Sequence, residues 1–265
     1  MRTATLLLLF SWMFPSPVLA LQLYTEEYPP VSFSHQGQPS GMAVEVVEEL
    51  LRRIDQKASL QVVPWARAYH IARTTPGTAI FPTMRTSERE PLFKWVGPII
   101  LARDNFYALR GSGIVIHSRE ELAAFRDIAV PRDWFSYQEL KAAGMRNLLG
   151  VNEPAQMFRL LRSGRVPLIV ADNLSFYARG EAAAQVDYLG LNEVEVAFPY
   201  RESYGYITFS LETDDALIRR WQDALDEMKR DGSFSRIHHH WLPGAEEPGL
   251  REPDWPTIAP AFKAP

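Results

Sequence analysis

The chain has 265 residues, 46% of them hydrophobic and 23% charged, with a net charge of −4 at neutral pH. That balance excludes nucleic acid and anionic membrane as the main partner, since neither attracts a mildly acidic surface. Cysteine is absent, so an exported form has neither disulfides nor a lipidated N-terminal cysteine and must rely on its core, which the roughly 240 residues after a leader can supply.

The predicted elements begin with that leader. Arg2, the apolar run from Leu6 to Phe10 and the small-residue ending Val18-Leu19-Ala20 have the layout of a secretory signal peptide, cleaved after Ala20. Pro15 and Pro17 interrupt it, and its unbroken apolar part is far below the roughly 20 residues of a spanning helix. No later segment is long and apolar enough either, so no membrane insertion is expected once the leader is gone.

Leu21 to Thr25 has period two and predicts a strand. Val44, Val47, Leu51 and Ile54 then recur at helical spacing, and Glu48 and Glu49 stand four residues before Arg52 and Arg53 on the exposed face. Leu60 to Val63 predicts a strand, Trp65 to Arg73 a helix and Thr78 to Phe81 a third strand. A second run of the same kind has strands at Ile128 to Val130, Leu148 to Val151 and Leu168 to Ala171. Its helices fall at Tyr137 to Ala143 and Pro154 to Arg162, the latter with Pro in its first turn and Gly164 past its end. Leu217, Trp221, Leu225 and Met228 predict an amphipathic helix after Thr213, closed by Gly232. Residues 244–265 are Pro-rich and aperiodic, predicting a loosely ordered tail. Alternating strands and helices predict an α/β fold whose mainly parallel sheets are flanked by helices.

Five stretches, in order, resemble a known family. They are Tyr28-Pro29-Pro30-Val31-Ser32-Phe33, Gly41 to Val47, Thr86-Ser87-Glu88-Arg89, Gly164-Arg165-Val166 to Asp172, and Asp231-Gly232-Ser233-Phe234. Together they resemble the extracellular solute-binding proteins of family 3, periplasmic receptors of polar amino acid ABC importers. The resemblance implies a two-lobed periplasmic-binding-protein fold of type II. Lobe one would hold residues 21–108 and 203–243 and lobe two residues 112–198, with crossovers near Tyr107 to Gly111 and Tyr200 to Tyr204. It implies a monomer that captures a small polar, carboxylate-bearing solute between its lobes and passes it to an importer permease.

By the same resemblance Arg89 pairs with the ligand carboxylate, as a two-pronged guanidinium does well, and Asp172 holds a ligand ammonium. Asp172 also suits a helix cap for Asn173 onward. Ser87, followed by Glu88 and Glu90, reads as a helix start that leaves Arg89 facing solvent in the open state. Tyr28 and Trp65 are candidate cleft walls, with Phe33 a weaker one; Trp95 and Trp221 read as packing residues.

The chain departs from the family pattern at Thr83-Met84-Arg85 before Thr86, at Pro167, and at Pro131-Arg132-Asp133-Trp134. Arg67 and Arg85 add positive charge near the expected cleft, which also admits a dicarboxylate, and Thr83, Met84, Thr86 and Arg132 are further candidates for ligand contact. His238-His239-His240 reads as a helix end, since adjacent helical positions do not share a face. No metal or cofactor is expected: HExxH, GxSxG, phosphate-loop and dinucleotide patterns are missing. Two other functions compete with transport. One is a cyclohexadienyl-dehydratase-like enzyme using Glu26, Glu27 and Asp172; the other is a sensory module for a membrane kinase.

Overall fold

A computed structural model describes residues 20–178 and 189–250; the expected leader and residues 251–265 of the tail lie outside the described residues. The first strand, β1 (Leu21–Thr25), is followed by a hairpin of β2 (Phe33–His35) and β3 (Gln38–Ser40), then by helix α1 (Met42–Arg53). Gly41 starts α1 at φ 118°, and a Cβ there would sit 2.6 Å from the Val31 carbonyl oxygen, so only glycine permits this entry. One face of α1, from Met42 to Leu50, is buried. On the outer face Glu49 takes both Arg52 and Arg53 at 2.7 Å, in place of the two separate pairs expected. Arg53 also reaches Asp231 at 2.7 Å and so ties α1 to the far end of the chain.

Next come β4 (Ala58–Val62), α2 (Trp65–Thr74) and β5 (Thr78–Met84), then the long strand β6 (Lys94–Leu109). The second run is β7 (Ile128–Pro131), α3 (Phe135–Ala142), β8 (Leu148–Val151), α4 (Pro154–Arg162) and β9 (Ile169–Asp172). A second long strand, β10 (Val194–Phe209), leads to α5 (Asp215–Arg230) and α6 (Ser233–Trp241). Asp214 caps α5 through Ala216 N at 2.7 Å, and Gly232 separates the last two helices in the left-handed region at φ 75°.

The sheet order is β4-β1-β5-β10-β6-β9-β7-β8. The outer three strands on each side are parallel, while β10 and β6 run antiparallel to each other at the centre. Neither long strand was expected as such. β6 carries Gly97-Pro98 and the polar group Arg103-Asp104-Asn105, and its pairing with β10 is interrupted by three register shifts. Such irregularities erase the period-two signal a strand otherwise leaves in sequence.

The two long strands are shared by both halves. β5 pairs with the last part of β10, from Met84↔Gly205 to Ala79↔Phe209, whereas β9 pairs with the last part of β6, from Asp104↔Asp172 to Tyr107↔Ile169. Separate cores follow this division. One gathers Leu23, Val47, Phe81, Phe209 and Trp221 under α1, α5 and α6; the other side packs Tyr107, Phe158 and Ile169, and Phe106, Val130 and Leu140. Phe106, Tyr107 and Ala108, expected in the first lobe, therefore pack in the second. The partner change falls between Leu101 and Asp104 on β6 and opposite, between Arg201 and Tyr204, on β10. The fold is the two-lobed α/β architecture expected.

Residues 244–250 are pinned rather than loose. Lys229 Nζ donates to the Gly249 carbonyl at 2.7 Å, Ser235 Oγ donates to Glu247 at 2.7 Å, and Arg103 pairs with Glu246.

Candidate functional site

The carboxyl ends of the parallel strands from both halves face a common cavity, as α/β folds bring their ligand-facing loops together. From the first half, Glu26 and Tyr28 follow β1, Trp65 opens α2 after β4, and Pro82, Met84 and Arg89 come from the end of β5 and the turn beyond it. Asp104 enters from β6 at the partner change. Trp134 and Phe135 follow β7, and Asp172 ends β9. The enclosed space is about 40 Å³, room for roughly three waters. Beyond Trp65 and Trp134 it continues into a wider outer cleft bordered by Glu27, Asp133 and Glu153.

Arg89 is 6% exposed. The expected helix start at Ser87 does not form: Thr86 closes a turn instead, its carbonyl and hydroxyl accepting from Arg89 N at 3.1 and 3.3 Å, and a short 3-10 turn follows over Glu90–Leu92. Pro91, within that turn, lacks the N–H a continuing helix needs. The guanidinium stands 5.3 Å from the Trp65 ring and 5.4 Å from that of Tyr69. Its Nη1 donates to the Met84 carbonyl at 3.1 Å. Burial lowers its pKa, with Tyr69 and Glu26 acting the other way; an arginine stays charged nonetheless. Far from facing solvent, it is a desolvated cation on the cavity wall.

Asp172 is 4% exposed and serves as a cap. Its Oδ1 accepts from Leu174 N at 2.9 Å and Ser175 N at 3.1 Å, and its Oδ2 from Ser175 Oγ at 3.2 Å. Tyr28 stands beside the same carboxylate. Burial raises its pKa, and these hydrogen bonds hold it down.

Asp104, also 4% exposed, was not anticipated; mid-strand in an unrecognised element, it carried no signal. It accepts from Ser203 Oγ and is pushed up to about 7 by burial, then by the nearby Asp172. Glu26 is pushed up to about 8, chiefly by burial, with Arg89 opposing and Asp133, Asp172 and Glu27 reinforcing. Across the halves, Tyr28 meets Trp134 edge-on at 6.2 Å. Behind Asp104, Arg201 Nη1 donates to both Glu139 oxygens at 2.8 Å, and the Tyr200 hydroxyl donates to Glu139 at 2.8 Å.

Of the residues singled out in sequence, the structure brings Arg89, Asp172, Tyr28, Trp65 and Met84 together. Glu26 borders it too; the remaining arginine and threonine candidates do not. Thr83 hydrogen-bonds Thr208 at 2.9 Å, tying β5 to β10, and Thr86 builds the Arg89 turn. Arg85 is forked onto Glu90 at 2.6 Å between the Trp95 and Tyr206 rings. Arg67 is exposed on α2, and Arg132 is exposed with its side chain against Gly150. The charge surplus at the cavity is thus acidic, which removes the argument for a dicarboxylate. Phe33 packs on Trp241 at 5.9 Å and Trp221 on Phe209 at 5.1 Å. His238 is buried and stacked on Phe234. Among the described residues no acidic or histidine cluster is arranged for a metal, and no helix is long and apolar enough to cross a membrane.

Known proteins share this fold. A probable amino-acid ABC transporter-binding protein of Haemophilus influenzae is 22% identical over 229 residues, 81% of each chain. In structure the chain is similar to a histidine kinase sensor domain that resembles periplasmic binding proteins (TM-score 0.74, 20% identity, 86% of this chain and 98% of that one). It is also similar to an ancestral arginine-binding protein bound to arginine (TM-score 0.69, 22% identity, 84% and 98%). The profile of the bacterial extracellular solute-binding proteins, family 3, matches residues 22–244, nearly the whole of both lobes, and the chain belongs to that family.

Proposed function

We propose that this protein is a periplasmic receptor without catalytic activity that binds an amino acid or a close relative between its lobes and delivers it to an ABC importer. The observation that carries this reading is Arg89: a guanidinium 6% exposed, on the wall of an interlobe cavity, with a single backbone hydrogen bond. A buried cation with spare donors is costly unless an anion completes it, and a carboxylate matches its geometry. The amino-acid ABC transporter-binding relative supports the solute class and the importer.

In this reading the leader is removed after Ala20 and the mature chain is a monomer. The lobes meet at Leu101 to Asp104 and Arg201 to Tyr204. The inner cavity is too small for a whole amino acid, so the lobes part about these strands to admit it, a hinge motion. Thermal denaturation with the twenty L-amino acids, dicarboxylates and polyamines tests the solute class, because a ligand of the folded state raises its melting temperature. Stabilisation by an amino acid and not by polyamines is expected. Stabilisation by polyamines alone would overturn the carboxylate reading.

A further inference from the structure

Among the acids at the cavity, Glu26 alone has its oxygens uncommitted. Three donors already occupy Asp172, counting Leu174 N, Ser175 N and Ser175 Oγ, of the roughly four lone-pair sites a carboxylate offers. Surrendering these bonds to a ligand would undo the turn over Asn173–Tyr177. Asp104 accepts from Ser203 and has the Arg201 charge beside it. The Glu26 carboxyl receives no hydrogen bond and forms no ion pair among the described residues, yet it borders the same small cavity as Arg89 and feels its charge.

We propose that Glu26, rather than Asp172, receives the α-ammonium of the bound solute, while Arg89 holds the α-carboxylate and Asp172 keeps a structural role. This rests on the amino-acid reading above. A cavity of about 40 Å³ lined by one uncommitted carboxyl and one guanidinium with spare donors suits the zwitterionic head of an amino acid. The side chain then extends between Trp65 and Trp134 into the outer cleft, where Glu27, Asp133 and Glu153 favour neutral or cationic groups.

Binding is then coupled to protons. Glu26 ordinarily titrates far below neutrality, but burial and the acids Asp133, Asp172 and Glu27 lift it to about 8 against the pull of Arg89. The carboxyl is therefore protonated in the ligand-free protein at neutral pH. When the ammonium arrives its N–H donates to the carboxylate, and the displaced proton passes to solvent. Affinity rises as the pH is raised from 6 towards 8. Asp104, at about 7, titrates in the same window and must be separated from Glu26.

Calorimetry separates these roles. The probes are the L-amino acid, among the twenty, that most stabilises the wild type, and the carboxylic acid lacking its α-amino group. Glu26→Gln is expected to weaken the amino acid about tenfold or more and its des-amino analogue little, as loss of one charged partner requires. Proton release, read from heats in buffers of different ionisation enthalpy, is lost in Glu26→Gln and retained in Asp104→Asn. Asp172→Asn, which keeps a capping side chain, is expected to retain affinity within about threefold while melting earlier. Unchanged amino-acid affinity or retained proton release in Glu26→Gln overturns the assignment. So does proton release lost in Asp104→Asn, or a selective loss of amino-acid binding in Asp172→Asn. Any of these with binding abolished in Arg89→Ala leaves the amino-acid reading standing; failure of every amino acid to stabilise the wild type overturns both.

Discussion

Replacing Arg89 by Ala removes the cation on which solute capture is argued to depend, and two measurable quantities change by different amounts. For binding, a solute carboxylate enclosed by the lobes loses its charged partner. Truncating one member of a buried, hydrogen-bonded charge pair costs about 2–5 kcal/mol, a loss of about one and a half to three and a half decades in affinity at 1.4 kcal/mol per decade. For folding, the variant gives up the hydrogen bond to the Met84 carbonyl, about 1 kcal/mol, and two ring contacts at 5.3 and 5.4 Å, about 0.5–1 kcal/mol each. Against this, the native protein no longer buries a guanidinium without an ion-pair partner, a relief of comparable size. The net destabilisation is about 0–2 kcal/mol, or a few degrees in melting temperature for a chain of this length. Arg89→Lys restores only part of the affinity, since a point charge cannot supply two parallel donors. Calorimetry with the stabilising amino acid, alongside a melting curve of each variant, measures both terms. Affinity within about threefold of wild type in a folded Arg89→Ala protein would refute the reasoning.

Glu139→Ala leaves Arg201, whose side chain is 6% exposed, without its carboxylate and is expected to cost about 3 kcal/mol; urea denaturation measures it, and a loss below about 1 kcal/mol contradicts the burial argument. Stability of the ligand-free protein is expected to fall as pH rises from about 4 to 8. Burial pushes Glu26 up to about 8 and Asp104 up to about 7, both above the ordinary carboxylate range, so the native state binds more protons than the unfolded state throughout that range. The limiting slope is about 1.4 kcal/mol per pH unit for each group, and Glu26→Gln flattens it in denaturant titrations at pH 5 and pH 8. Intact mass of exported protein is expected to correspond to a chain starting at Leu21; a retained Met1 contradicts the leader.

Much of the architecture was legible because the local physics of the chain agrees with its fold. The helical spacing from Val44 to Ile54 and the amphipathic run from Leu217 to Met228 each bury one face against a single core, and such faces leave a periodic trace. The motif order around Tyr28, Gly41, Arg89, Asp172 and Gly232 carried the family and two residues facing each other across the cleft. The signals that failed came from residues serving two cores or two partners. β6 and β10 cross both lobes with register shifts, so their periodicity is broken and Asp104 within them is silent.

The sequence by itself therefore determined the α/β class through its periodicity, and its resemblance to a family implied the two-lobed fold and pointed to Arg89, which borders the cavity. Only the tertiary structure decided which charges meet. Arg67, Arg85 and Arg132 stand close in sequence to cavity residues yet do not border the cavity, and Asp172 has its oxygens engaged by Leu174 and Ser175. Glu26 keeps its carboxyl uncommitted beside Arg89. A charge is assigned by what surrounds it in three dimensions, by burial, spare lone pairs and opposing charges on other strands, and none of these is a property of neighbouring positions in the chain.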